Sequence, residues 1–127
     1  MNLRQSEDFL RVKRAVFRAD KPYYYFRKVK PEQSFKLKKN SQELISEIFS
    51  LEELLRAIER APPEAIIFHL RDKKNDFANW IEKIIGNQEL GEKISQIKLT
   101  HPEETRWKLA GILYNELASQ FYSDHLR

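Results

Sequence analysis

From residue 50 onward, the apolar residues of this chain recur at helical intervals. The clearest run lies on one helical face and comprises Leu51, Leu54, Leu55 and Ile58. Ser50 and Glu53 form a capping box before the run, because each can satisfy an unpaired backbone N–H of the first turn. Pro62-Pro63 follows the run, and a proline disfavours helical conformation in the residue before it. These signals predict a helix that ends near Ala61.

Further helical patterns follow. Residues 63–71 suit either a helix opened by proline or a short buried strand, and the helix is favoured. After the polar stretch 71–75, Asn75 or Asp76 caps a helix that ends at Gly86. A short return helix then carries Leu90, Ile94 and Ile97. A second capping box, Thr100 to Glu103, opens a long helix over residues 102–124.

The first 48 residues have a more mixed pattern. Ser6 can cap a helix over residues 6–18. Two β-prone segments follow, Tyr23–Val29 and Ser34–Lys38, and they predict an antiparallel hairpin that turns at residues 30–32. Asn40 and Ser41 then suit the cap of a short helix with Leu44, Ile45 and Ile48 on one side.

The predicted fold is therefore α+β and predominantly helical, a single domain with about five to six helices and one small N-terminal β-hairpin. Residues 1–40 form the basic helix and hairpin, and residues 41–127 form a helical core with a long C-terminal helix. The core is expected to contain Leu51, Leu54, Leu55, Ile58, Ile67, Phe77, Trp80, Ile81, Ile84, Leu90, Ile94, Trp107, Leu113 and Leu117.

Composition excludes several kinds of chemistry. The chain has no cysteine, so it has no disulfide, thiolate metal site or cysteine nucleophile. Its 3 glycines are dispersed, which rules out a glycine-rich phosphate loop. The histidines lack metal-ligand spacing, so we expect no metal and no cofactor. No apolar run could span a membrane or serve as a secretory signal, so a cytoplasmic protein is expected. Abundant Lys, Glu and Ile favour a hot-growing source.

Charge is distributed unevenly along the chain. Residues 1–40 hold 12 Lys and Arg against 4 Asp and Glu, whereas residues 41–127 hold 11 against 15. Cations interleaved with aromatic side chains suit contact with RNA, single-stranded nucleic acid or a ribonucleoprotein, because cations bind phosphates and aromatics stack on unpaired bases. The candidate contact residues are Arg11, Arg14, Arg18, Tyr24, Arg27, Lys28, Lys30, Lys36 and Lys38.

A different class of function is suggested by the C-terminal helix. Its aromatic residues are Trp107, Tyr114, Phe121 and Tyr122. A broad apolar helix face often continues into an interface, so the chain could instead be a protein-interaction or homodimerisation module.

One cluster resembles a known sequence pattern. Phe68, His69, Asp76, Phe77, Trp80 and Gly86 resemble the core of an uncharacterised, chiefly archaeal domain family of unknown function, over roughly residues 22–97. The resemblance implies no activity. A carboxylate beside His69 could tune an enzyme site, but a structural role is favoured for these residues, because Asp76 suits a helix cap and Trp80 faces the core; no catalytic residue is assigned.

Overall fold

A computed structural model describes residues 24–125, with side chains described as far as residue 119. The described part forms a two-stranded antiparallel sheet and five α-helices, which confirms the predicted α+β, mainly helical fold. The predicted helix over residues 6–18 lies outside the described residues. Within the described part, no helix is long and apolar enough to cross a membrane.

The hairpin is formed by β1 (Phe35–Asn40) and β2 (Glu43–Ile48), with Phe35 opposite Ile48. The prediction of a strand at residues 34–38 is confirmed, but its predicted partner is wrong. Tyr24 and Tyr25 are helical, and the chain from residue 26 to 30 contains no strand. A short 3-10 turn, Pro31–Gln33, occupies the predicted hairpin turn.

β2 replaces the helix that was predicted to begin near residue 40. The Asn40 side-chain oxygen accepts hydrogen bonds from the backbone N–H groups of Gln42 (2.9 Å) and Glu43 (3.0 Å). A helix N-cap uses the same oxygen in the same way, two and three residues ahead. Asn40 therefore suits both a helix cap and a β-turn when only its neighbours in the sequence are considered. The pairing of residues 43–48 with β1 decides in favour of the turn.

The next two helices are α1 (Leu51–Arg60) and α2 (Pro63–Leu70). Ser50 Oγ accepts from the Glu53 N–H (3.2 Å), which confirms Ser50 as the cap of α1. The Glu53 carboxylate accepts from the Phe49 N–H (2.8 Å), one residue before the N–H that a capping box uses. The segment that suited either helix or strand is helical.

The following pair is α3 (Asp76–Trp80), which continues as one π-helical turn (Ile81–Ile85), and α4 (Gln88–Ser95). Of the two predicted caps, Asn75 caps α3, and Asp76 is the first helical residue instead. Gly86 ends the π-helical turn with φ +88°. A Cβ atom at Gly91 would overlap the Glu82 side chain, so glycine is what allows α4 to approach this closely.

The last helix is α5 (Pro102–His125). Its cap differs from the prediction, because the His101 ring nitrogen Nδ1 accepts from the Glu103 N–H (3.3 Å). The Thr100 backbone instead donates to Thr105 Oγ1 (3.1 Å). Farther along α5, the buried guanidinium of Arg106 donates to the Ile58 carbonyl (2.7 Å) and fastens the helix to the end of α1.

One hydrophobic core joins the hairpin to the helices, and ten of the predicted core residues are buried in it. Ile84 and Leu117 are partly buried against it. Two assignments were wrong: Ile67 and Trp107 are exposed. Ile66 takes the inward position on α2, and α5 turns the face that bears Leu109 toward the core. Both α2 and α5 have apolar residues on more than one face, and the packing of the helices determines which face is buried.

Candidate nucleic-acid interface

The cations predicted to bind nucleic acid have different environments. Arg27 is half-buried and donates to the carbonyls of Ile84 (2.9 Å) and Ile85 (3.2 Å), where the π-helical turn ends. Its guanidinium also lies 3.8 Å from the ring centroid of Tyr24. Arg27 therefore satisfies carbonyl groups at a helix end inside the protein. This structural role accounts for a cation at this position without a bound ligand.

Two further predicted cations form exposed ion pairs, Lys28 with Glu53 (3.2 Å) and Lys36 with Glu47 (3.6 Å). Exposed pairs of this kind hold the cation weakly, so it remains accessible to a phosphate. Lys30 is exposed as well.

Lys38 lies half-buried on β1. Among the described residues, Lys30 and Lys38 have no acidic group within ion-pair distance. Tyr24 is exposed, whereas Arg11, Arg14 and Arg18 lie outside the described residues.

His69 lies at the centre of the motif residues. Its Nε2 atom accepts from the Lys38 N–H (2.9 Å), and its Nδ1 atom lies 2.8 Å from the Asp76 carboxylate. Nδ1 therefore carries the proton of a neutral ring, because Nε2 must be an acceptor. With 3% of its surface exposed, His69 connects β1, α2 and the first turn of α3.

The pKa of His69 lies below its ordinary value, chiefly because burial disfavours the imidazolium form. The hydrogen bond and the charge of Asp76 act in the opposite direction, and Lys74 and Lys38 add a smaller lowering. Both ring nitrogens are engaged inside the protein, so neither faces a substrate in this structure. This geometry favours the structural role over general acid–base catalysis.

Aromatic rings surround the histidine. The centroids of Phe35, Phe68 and Phe77 lie 4.9, 5.0 and 5.3 Å from the His69 ring. Trp80 packs edge-on against Phe35 at 5.8 Å, and its indole N–H donates to the Gln33 carbonyl (2.8 Å). The structure thus brings five of the six motif residues together, while Gly86 serves separately as the terminator of the π-helical turn.

A basic cleft lies beside this cluster, between the loop after α2 and the segment after α4. Its volume is about 640 Å³. Its charged lining consists of four cations and one carboxylate: Arg71, Lys73, Lys74, Lys98 and Asp72. We call these four cations the basic cleft residues. Lys74 also pairs with Asp76 (3.2 Å), the carboxylate bonded to His69.

The loop that lines the cleft has an unusual backbone. Asp72 (φ 59°) and Lys73 (φ 64°) both adopt the left-handed region, which costs on the order of 1–3 kcal/mol for each non-glycine residue. The cations of Arg71 and Lys74 both lie over the half-buried ring of Phe68, at 4.8 and 4.5 Å from its centroid. This arrangement holds the loop against α2 and keeps its charges on the rim of the cleft.

The positive charge of the cleft exceeds what the fold requires. Two helices, α2 and α4, end at the cleft, and each C-terminus carries roughly half a negative charge. The lining side chains carry a formal charge of +3, and the ion pair of Lys74 with Asp76 lowers it to +2. Helix ends therefore balance about half of that charge, and the remainder is available to an anion.

Sequence reasoning missed the cleft because residues 71–75 were interpreted only as a polar loop. Lys98 is separated from them by more than 20 residues, and the αα-hairpin of α3 and α4 brings the two segments together. The one available signal was the density of cations in Arg71-Asp72-Lys73-Lys74. Among the described residues, no group of three or more His, Asp or Glu side chains is placed to hold a metal ion.

Comparison with known proteins gives one family. The sequence model of DUF5752, a family of unknown function, matches residues 32–124. The match includes α5, which the resemblance left out, and it begins after Tyr23–Val29, which the resemblance included. No curated protein and no solved structure gives a significant match.

Proposed function

The chain belongs to the DUF5752 family, whose function is unknown. We propose that it is a non-enzymatic protein that binds RNA or single-stranded nucleic acid. The observation that carries the proposal is the basic cleft, in which cations from two separate segments line one cavity. Phosphates of a flexible strand can follow such a row of cations.

The proposal retains some of the predicted contact residues and replaces others. Lys30 and Lys38 are retained because they have no acidic partner in the described part of the chain. Tyr24 is retained because it is 52% exposed, although Arg27 covers one face of its ring. Arg27 is replaced, since its guanidinium caps the π-helical turn. The basic cleft residues take over as the main phosphate contacts. We propose a structural role for the motif residues around His69.

Fluorescence anisotropy with a labelled single-stranded RNA of mixed sequence tests the proposal. We expect binding at about 50 mM salt that weakens steeply as salt rises, because bound phosphates release counterions. The double variant Lys73→Glu, Lys98→Glu should bind at least ~10-fold more weakly. The slope of its logarithmic binding constant against the logarithm of salt concentration should become less steep by about 0.7 for each lost phosphate contact.

Lys83→Glu combined with Lys30→Glu is the matched control, since it makes the same charge change and leaves the cleft intact. It should weaken binding less than the cleft variant does, because only Lys30 belongs to the proposed surface. No binding by the unaltered protein at low salt, or equal losses in the two double variants, would overturn the proposal.

A further inference from the structure

A stripe on the outer face of α5 contains two large exposed aromatic residues. Trp107 is 55% exposed and Tyr114 is 61% exposed. They lie seven residues apart, with exposed Gly111 between them and half-buried Ala118 one turn beyond. These four positions are spaced by four, three and four residues, so they fall on one line along the helix. We call them the α5 stripe.

The contacts of the described residues do not explain Gly111. A Cβ atom at this position would meet none of them within 4 Å, so the described part of the chain leaves room for a side chain. Its backbone is helical and needs no special conformation, and glycine is among the least favourable residues inside a helix. A glycine placed between two exposed aromatics lets another backbone or a large side chain come close.

The order of large and small residues in the stripe is self-complementary. In an antiparallel pair of α5 helices related by a two-fold axis, Tyr114 of each copy lies opposite Gly111 of the other. The same register places Trp107 opposite Ala118, so every large residue meets a small one. A parallel pair would place Trp107 against Trp107 and Gly111 against Gly111, which leaves both crowding and gaps.

From this pattern we infer that the partner of the α5 stripe is a second copy of the chain, bound antiparallel through a two-fold axis between Gly111 and Tyr114. Antiparallel helices also place opposite ends of their dipoles together. The inference concerns a different face from the basic cleft and does not depend on the proposed function.

The exposed area of the α5 stripe determines how tightly the proposed dimer should associate. Its two aromatic residues expose on the order of 250 Å² per copy, against roughly 800 Å² per partner in a standard interface. The remaining area must come from neighbouring positions on α5. We therefore expect a dimer that dissociates in the micromolar range and is visible across a concentration series.

Sedimentation velocity over about 1–200 µM protein tests the inference, because this range brackets a micromolar dissociation constant. The protein should pass from monomer to dimer, and Gly111→Leu should weaken the dimer by at least ~30-fold, because the new side chain blocks close approach. Gly111→Leu should also raise the Tm of the monomer, since leucine favours helix and the site is open. A loss of dimer therefore cannot be attributed to misfolding.

Tyr114→Ala should weaken the dimer, whereas the matched change Tyr24→Ala removes an exposed tyrosine elsewhere and should leave it unchanged. A protein that is monomeric throughout the series, as it would be if another part of the chain covered the stripe, overturns the inference. A dimer that Gly111→Leu leaves unaffected overturns it equally.

Spin labels distinguish the two orientations, because the chain has no cysteine and single cysteines can be introduced. In the antiparallel register, labels at Asn115→Cys lie about 8 Å apart along the axis, and labels at Glu104→Cys lie about 26 Å apart. A parallel pair would give equal separations at both positions. Equal separations would contradict the inferred register.

Discussion

Individual side chains in this protein are used mainly to connect elements. His69 is the clearest case, because each ring nitrogen binds a different element and three phenylalanine rings enclose it. Protonation would force Nε2 to become a donor facing the Lys38 N–H, which is itself a donor. The neutral ring is therefore part of the folded structure.

This coupling predicts that acid destabilises the protein through His69. The pKa of His69 is lowered in the folded state, so between that pKa and the unfolded value of about 6.5 the unfolded chain binds more protons. Its contribution to the free energy of unfolding should be complete above about pH 6.5 and decline as pH falls through the folded pKa. Urea titrations between pH 5 and 8 measure this decline.

His69→Gln is the control for that prediction, since glutamine does not titrate. The variant should be less stable at pH 7.5 by about 1–3 kcal/mol, because buried partners lose hydrogen bonds. Its stability should change less between pH 5 and 6.5 than that of the unaltered protein. Parallel pH profiles for the two proteins would show that another group is responsible.

At the scale of elements, the ends of helices decide much of the architecture. The π-helical turn ends at Gly86, and the Arg27 guanidinium satisfies two of its last carbonyls. Arg27 precedes these carbonyls by more than 50 residues, so no local pattern links them. The segment before the hairpin is thereby tied to the far end of α3 and its π-helical turn.

Arg27→Ala should therefore lower the free energy of unfolding by about 1–3 kcal/mol, as expected for hydrogen bonds made by a charged donor. Arg27→Lys should restore only part of the loss, because an ammonium cannot reproduce the planar fork that reaches both carbonyls. Chemical denaturation monitored by circular dichroism gives these values.

Lys28→Ala is the neighbouring comparison for Arg27. Its ion pair with Glu53 is exposed, so the loss should stay below about 0.5 kcal/mol. If the two alanine variants were equally stable, the carbonyl contacts of Arg27 would not contribute to folding.

Across the whole molecule, one core holds the hairpin against the helices. One of the two tryptophans is buried in this core, and the other is exposed. Trp80 is 7% exposed and reaches Gln33 and Phe35, whereas Trp107 lies on the outer face of α5. The sequence assigned both to the core, because both lie on apolar helix faces.

Trp80→Ala should consequently lower the free energy of unfolding by about 3–5 kcal/mol, through lost packing and the lost hydrogen bond to Gln33. Trp107→Ala should change that of the monomer by about 0.5 kcal/mol or less, as for an ordinary surface position. Denaturant titrations at a concentration below dimer formation compare the two. A large loss from Trp107→Ala would place its side chain in the core.

The sequence by itself determined the fold class, the position and cap of α1, the helices on either side of Gly86 and ten of the buried core residues. These features follow from periodicity and from caps that act within four residues. The tertiary structure decided the partner of β1, because Asn40 offers the same hydrogen bonds to a turn and to a helix. It also decided the basic cleft and the role of Arg27, because residues distant in the chain meet there only after the helices have packed.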